Sequence, residues 1–73
     1  MQQLQFELTE DFIELNNLLK VMGLCDSAGA GKMMVAQGIV KVNGQQELRK
    51  TCKIRAGQTV SVADVRIKVT APN

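Results

Sequence analysis

Apolar and polar residues alternate at both ends of this chain and recur at helical spacing between them. Leu4, Phe6 and Leu8 alternate with Gln3, Gln5 and Glu7, the period-two pattern that predicts a half-buried strand within residues 1–8. Leu15, Leu18, Leu19 and Met22 then recur at helical spacing and Gly23 supplies a stop, which predicts a first helix from Asp11 to Met22. Thr9 or Asp11 is the expected N-cap, and Glu10, Asp11 and Glu14 put negative charge at the positive end of the helix dipole. Asp26 or Ser27 opens a second predicted helix, Ala28 to Gln37, closed by Gly38, with Ala30, Met33 and Met34 as its buried stripe. Gly29 and Gly31 each cost about 1 kcal/mol against alanine inside a helix. Their physical use is close approach of another backbone, either helix one or a ligand.

Beyond Gly38 the period switches to two. Ile39-Val40-Lys41-Val42 runs into Asn43-Gly44, the dipeptide best suited to a two-residue hairpin because both positions tolerate positive φ. Arg49 to Arg55 alternates, and read as one strand it places Cys52 and Ile54 inward and Arg49, Thr51, Lys53 and Arg55 outward. Turns follow at Ala56-Gly57-Gln58 and Ala63-Asp64. Between and after them, Val60, Val62, Val65, Ile67 and Val69 mark two further strands, with Arg66 and Lys68 outward. Thr70 to Asn73 is expected to fray. The sum is an α+β fold, a helix pair on one face of a small twisted, mainly antiparallel sheet. One domain is expected over 1–73: an N-terminal strand (1–8), the helix pair and first hairpin strand (9–44), the remaining strands (45–70) and a tail (71–73).

A chain of 73 residues, 45% hydrophobic and 22% charged, has the composition of one small globular domain and leaves no room for a cleft between two. The first residues show neither a basic patch nor a long apolar run, so no signal peptide or membrane span is read and the cytoplasm is the expected location, with no membrane partner. The net charge of +2 conceals a division. Residues 1–31 carry one base against five acids, and residues 32–73 carry eight bases against two acids. Such polarity suits a polyanionic partner for the second half.

Catalytic chemistry finds little support. There is no histidine, no carboxylate pair in a pattern that implies a shared site, and no metal-ligand set, so neither cofactor nor metal is expected. Cys25 and Cys52 are expected to be separate reduced thiols, with a disulfide as the alternative. Gly29-Ala30-Gly31-Lys32 invites comparison with a phosphate-binding loop, but Asp26 and Met33 stand where that motif needs Gly and Ser or Thr, and Met34 stands where a dinucleotide fingerprint needs its third Gly. Ser27 beside Lys32 reads as a helix cap before it reads as a nucleophile. Cys25 reads as a small half-buried thiol before a reactive one. Phe6 and Phe12, the only aromatics, are expected in the core, which leaves no platform for base stacking.

The basic residues remain. Arg49, Lys50, Lys53 and Arg55 fall within seven positions, and Lys32 near a helix start adds its charge to that of exposed backbone N–H groups.

The order of signals from Leu15 to Gly44, LNNLLKVMGLCDSAGAGKMMVAQGIVKVNG, resembles the αL RNA-binding motif of the S4-like domains, found in a small-subunit ribosomal protein, pseudouridine synthases and some tRNA synthetases. Leu15, Leu18, Gly23, Ser27, Gly38, Val40, Val42, Asn43 and Gly44 fill the family's pattern without a gap. Ile54 to Val62 looks like its closing turn and strand, with Gln58 where aspartate is usual. The likeness covers about two thirds of the chain and is strongest to short bacterial proteins made of this domain alone. It implies a non-enzymatic binder of structured RNA, ribosomal or transfer RNA in class, working alone as a monomer or docked on a ribosomal or RNA-processing complex. Lys32 and Lys41 occupy commonly basic family positions, whereas Ala28 stands where the family usually has an RNA-facing arginine. The expected phosphate contacts are Lys32, Lys41, Arg49, Lys50, Lys53 and Arg55, lining a groove between helix two and the hairpin, with the last four compensating for Ala28. The alternative is a protein-interaction module that offers the same basic face to an acidic protein.

Overall fold

The computed structural model describes residues 2–72. Its elements are β1 (Gln2–Glu7), β2 (Ile13–Glu14), α1 (Leu15–Val21), α2 (Ala28–Ala36), β3 (Val40–Val42), β4 (Gln45–Gln46), β5 (Lys53–Ile54), β6 (Thr59–Val62) and β7 (Val65–Thr70). One sheet has five strands in the order β1-β7-β6-β3-β4, parallel only between β1 and β7, and β2 with β5 forms a separate two-stranded ladder. The helices cover one face of the larger sheet. Leu15, Leu18, Leu19 and Val35 meet Val40, Val60, Val62, Ile67 and Val69 in one buried cluster. This is the α+β arrangement that the alternation of periods predicts.

The hairpins form where turn chemistry allows. Val42 pairs with Gln45 across Asn43 (φ 52°) and Gly44 (φ 83°), both left-handed as a type I′ turn requires. Asn43 also accepts the Thr59 N–H on its side chain at 2.9 Å, which ties the turn to β6. Val62 and Val65 close the second hairpin with Ala63 at φ 50°, an unfavourable conformation for a residue with a Cβ. Thr70 is not frayed. It belongs to β7, accepts the Leu8 N–H at 3.0 Å and donates its hydroxyl to the Phe6 carbonyl at 3.3 Å. Asn73, the end of the expected tail, and Met1, the start of the expected first strand, lie outside the described residues.

Helix one differs from its prediction at the N-terminus. It starts at Leu15, with Glu14 as N-cap, and neither Thr9 nor Asp11 caps it. Ile13 and Glu14 are drawn instead into an antiparallel pair with Ile54 and Lys53. The N–H groups of Leu15 and Asn16, which a side-chain cap would otherwise serve, donate to the carbonyls of Cys52 (2.8 Å) and Lys50 (3.2 Å). A distant segment thus caps the helix with its backbone.

Helix two is capped as expected: Ser27 Oγ accepts the Ala30 N–H at 3.1 Å. Its buried face is rotated from the predicted stripe. Gly31 and Val35 are buried, whereas Met33 is 64% exposed and Ala30 and Met34 are only half-buried. Gly31 explains the rotation, because a Cβ there would lie 2.5 Å from the Asn16 carbonyl oxygen. The two backbones meet at this glycine, so residues 31 and 35, one turn apart, face helix one. Asn16 reinforces the crossing by donating its side-chain amide to the Ala28 carbonyl at 3.4 Å.

Candidate nucleic-acid interface

The segment expected to be one long basic strand is a turn followed by a short strand. Only Lys53 and Ile54 are extended and paired; before them the Cys52 N–H donates to the Arg49 carbonyl at 3.2 Å and bends the chain. Arg49, Thr51, Lys53 and Arg55 therefore do not line one strand face. The bend is fixed from both sides, because the Lys50 and Cys52 carbonyls are committed to the start of α1. Arg49 and Lys53 still border one shallow depression, together with Thr51, Cys52 and Gln58. Gln58 does structural work there: its Oε1 accepts the Arg55 N–H at 2.6 Å and closes the turn that Gly57 (φ 90°) makes possible. An amide oxygen serves that acceptor role as an aspartate would.

Phe12 is not a core residue. Continuing the β2–β5 register by one residue sets Phe12 opposite Arg55, and alternation puts Phe12, Glu14, Lys53 and Arg55 on one face with Ile13 and buried Ile54 on the other. The Lys53 ammonium lies 4.9 Å and the Arg55 guanidinium 5.6 Å from the Phe12 ring centroid. These are cation–π distances, each contact contributing about 0.5–1 kcal/mol at exposed sites. The ring also borders a cleft with Phe6, Leu8, Glu10, Ile13 and Asn17. Sequence reasoning missed this role because Phe12 stands three residues before Leu15, in step with the apolar helical stripe.

The remaining cations stand on different elements. Lys32 is exposed on α2, Lys50 is exposed at the bend and Arg49 carries the one salt bridge among the described residues. Its Nε and Nη2 donate to the two Glu47 carboxylate oxygens at 2.9 and 3.0 Å, and its backbone N–H adds a third bond at 3.0 Å. These hydrogen bonds hold the Glu47 carboxyl down from 4.5 to about 2, and Glu47 raises the Arg49 guanidinium in turn. Arg49 is thus partly neutralised by a carboxylate, whereas no ion pair is formed by Lys32, Lys50, Lys53 or Arg55 with any described residue. Burial, then the nearby Glu47 charge, pushes the Cys52 thiol up, which opposes thiolate chemistry. Cys25 and Cys52 are both free.

Lys41 stands apart from the others. Val40 is buried against the helices, so Lys41, its neighbour on β3, projects from the opposite face of the larger sheet. There it borders a depression with Ile39, Gly44, Ser61, Ala63 and Arg66. The six cations expected along one groove between helix two and the hairpin do not all share one face, because Lys41 lies on the far side of the sheet. They occupy α2, the bend, the small ladder and the far sheet face.

Comparison with known proteins identifies the architecture. The family model described as "S4 domain" matches residues 6–70. The Escherichia coli K12 protein named "Putative RNA-binding protein YbcJ" is 49% identical over 59 residues, covering 81% of this chain and 84% of the relative; the Shigella flexneri counterpart, named "Uncharacterized protein YbcJ", aligns with the same figures. The solution structure of E. coli YbcJ, described as revealing an αL motif involved in RNA binding, superposes with a TM-score of 0.68 at 42% identity over 97% of this chain and 89% of that one. The assignment accords with the non-enzymatic reading of the residues. Matched by the family model over most of its length and by a relative at nearly half identity, the chain belongs to the S4 domain family.

Proposed function

We propose that this domain binds the phosphate backbone of a structured RNA, ribosomal or transfer RNA in class, in the cytoplasm and without catalysis of its own. The observation that carries the reading is likeness to an αL-motif protein named for RNA binding, combined with cations held on a braced surface. Lys53 and Arg55 stand on a ladder fixed by the core side chain Ile54, and Lys50 on a bend fixed by its bonds to α1. Lys32 extends this surface on α2 and Lys41 contributes from the sheet. Arg49 joins only when a phosphate displaces Glu47. Phosphate oxygens need positive charge at roughly set positions and no sequence code, which suits recognition by shape.

Binding of unfractionated bacterial transfer RNA, followed by fluorescence anisotropy across a salt series, tests the reading. Affinity should fall with salt at a log–log slope of about −0.7 to −0.9 per neutralised phosphate. K53Q/R55Q should lower both affinity and slope. A salt-independent affinity, or a double variant that binds like the wild type, contradicts the proposal. An acidic-protein partner would instead leave capture from lysate unaffected by ribonuclease.

A further inference from the structure

The uncovered face of the five-stranded sheet has a charge pattern that the fold does not require. Strand register sets Gln3, Arg66, Ser61, Lys41 and Gln46 in one row across β1, β7, β6, β3 and β4, and sets Gln5, Lys68 and Thr59 in the adjacent row. Arg66, Lys68 and Lys41 are all exposed, and all lie opposite the helix layer, since Ile67, Val69 and Val40 between or beside them are buried. Every directly paired neighbour of these cations is Gln, Ser or Thr. A carboxylate in any of those places would gain about 0.2–1 kcal/mol as a cross-strand ion pair, yet none occurs. The nearest acids are peripheral: Glu7 ends β1 on this face, diagonal to Lys68 rather than opposite it, and Asp64 lies in the turn between β6 and β7.

Two ordinary explanations of the cations do not apply. Lysine often blunts the exposed edge of a sheet, but β7 and β3 are interior strands, flanked on both sides. A protein partner would be met by aromatic or large apolar anchors at the centre of its interface. Among the described residues this face has none, and Ile39, 46% exposed, stands at its margin. Cations beside neutral amide and hydroxyl groups are instead the side-chain set that contacts phosphate and sugar. Arg66 and Lys68, two residues apart on one strand, are separated by about 6.8 Å at the backbone, and Arg66 and Lys41, two strands apart, by about 9.6 Å. The first spacing is comparable to that of adjacent phosphates along an extended strand.

We infer that the outer sheet face, through Arg66, Lys68 and Lys41 with Gln3, Gln5 and Ser61 beside them, is a second phosphodiester-binding surface. It would hold a separate stretch of backbone of the RNA engaged at Lys32, Lys50, Lys53 and Arg55. This rests on the RNA-binding reading above and extends it: the domain grips RNA on two faces, which favours folded or branched RNA over a single helix.

The test compares wild type, R66Q/K68Q and K53Q/R55Q by fluorescence anisotropy with unfractionated bacterial transfer RNA over a salt series. R66Q/K68Q should weaken binding by at least about tenfold at low salt and reduce the log–log slope by about 1.4–1.8, the contribution of two phosphate contacts. The charge-preserving R66K/K68R should bind like wild type, which separates charge from any effect on the sheet. If R66Q/K68Q retains the wild-type affinity and slope while K53Q/R55Q loses both, the second surface is overturned and the first stands. If wild type itself shows no salt-dependent binding, both are overturned.

Discussion

The helix pair with its hairpin and the segment from Glu47 to Arg55 share one small domain but are organised by different forces. In the first, most elements are specified next door to themselves: Ser27 caps α2, Asn43-Gly44 turns the hairpin, and Leu15, Leu18 and Leu19 supply the buried stripe, with only the start of α1 set from outside. In the second, local bonds from Arg49 to Glu47 and from Cys52 to Arg49 shape the bend, but what fixes its place comes from afar. Its carbonyls cap α1, Ile54 pairs with Ile13, and Arg55 and Lys53 close on Phe12. The first region is a scaffold whose parts agree with their own propensities. The second is a strip of cations shaped by that scaffold, and changes to it should alter binding more than folding.

The largest expected effect tests the scaffold. Gly31→Ala forces a methyl group against the Asn16 carbonyl and should destabilise the fold by about 2–3 kcal/mol, as overpacking of a rigid contact does. Gly29→Ala, two residues away with only Ser27 Oγ near at 3.8 Å, should instead gain up to about 1 kcal/mol of helix propensity. Urea denaturation of both variants checks the contrast, and equal effects would break the account of the crossing. Ala63→Gly should relieve the left-handed strain in the second hairpin and stabilise by about 1 kcal/mol, read in the same way.

Smaller effects belong to the second region. Phe12→Leu keeps an apolar side chain but removes the ring, so the ladder should lose about 0.5–1 kcal/mol per cation contact. The ring-current shifts of the Lys53 and Arg55 side-chain protons should disappear from the NMR spectrum. Glu47→Gln should release Arg49 and steepen the salt dependence of RNA binding by about one phosphate contact. An unchanged slope would mean that Arg49 takes no part in binding.

Titration of Glu47 gives the smallest signal. Its folded carboxyl is depressed to about 2 from 4.5, so its contribution to stability is present above pH 4.5 and is lost as the pH falls through about 2. An NMR titration of the carboxyl that placed its midpoint near 4.5 would show that the Arg49 clamp does not persist in solution.

The difference between the two regions also explains what was legible in the sequence. Period, caps and turn dipeptides are local, and the strands around Val40, Val60 and Ile67, the hairpins and the Ser27 cap follow from them. The start of α1 was illegible because Ile13 and Glu14 suit either a helix or a strand, and Ile54, about 40 residues away in sequence, decides it. Phe12 fell in step with the helical stripe and looked like core for the same reason. The rotation of α2 follows from Gly31, whose need for close approach was readable although the face it would turn was not. The cations were readable as charges, but not their grouping. That grouping depends on a bend at Lys50 to Cys52 and on sheet register, which joins Lys41 to Arg66 and Lys68 rather than to Lys32.

The central claim, that a structured RNA lies on the cations braced against α1, is tested most directly by amide chemical-shift mapping of isotope-labelled protein during titration with transfer RNA. Shifts should concentrate at Lys32 and from Lys50 to Arg55, reach Lys41, Arg66 and Lys68 on the outer sheet face, and collapse when salt is raised. Shifts confined to the acidic stretch around Glu10 and Glu14, or a pattern that persists at high salt, would contradict the account.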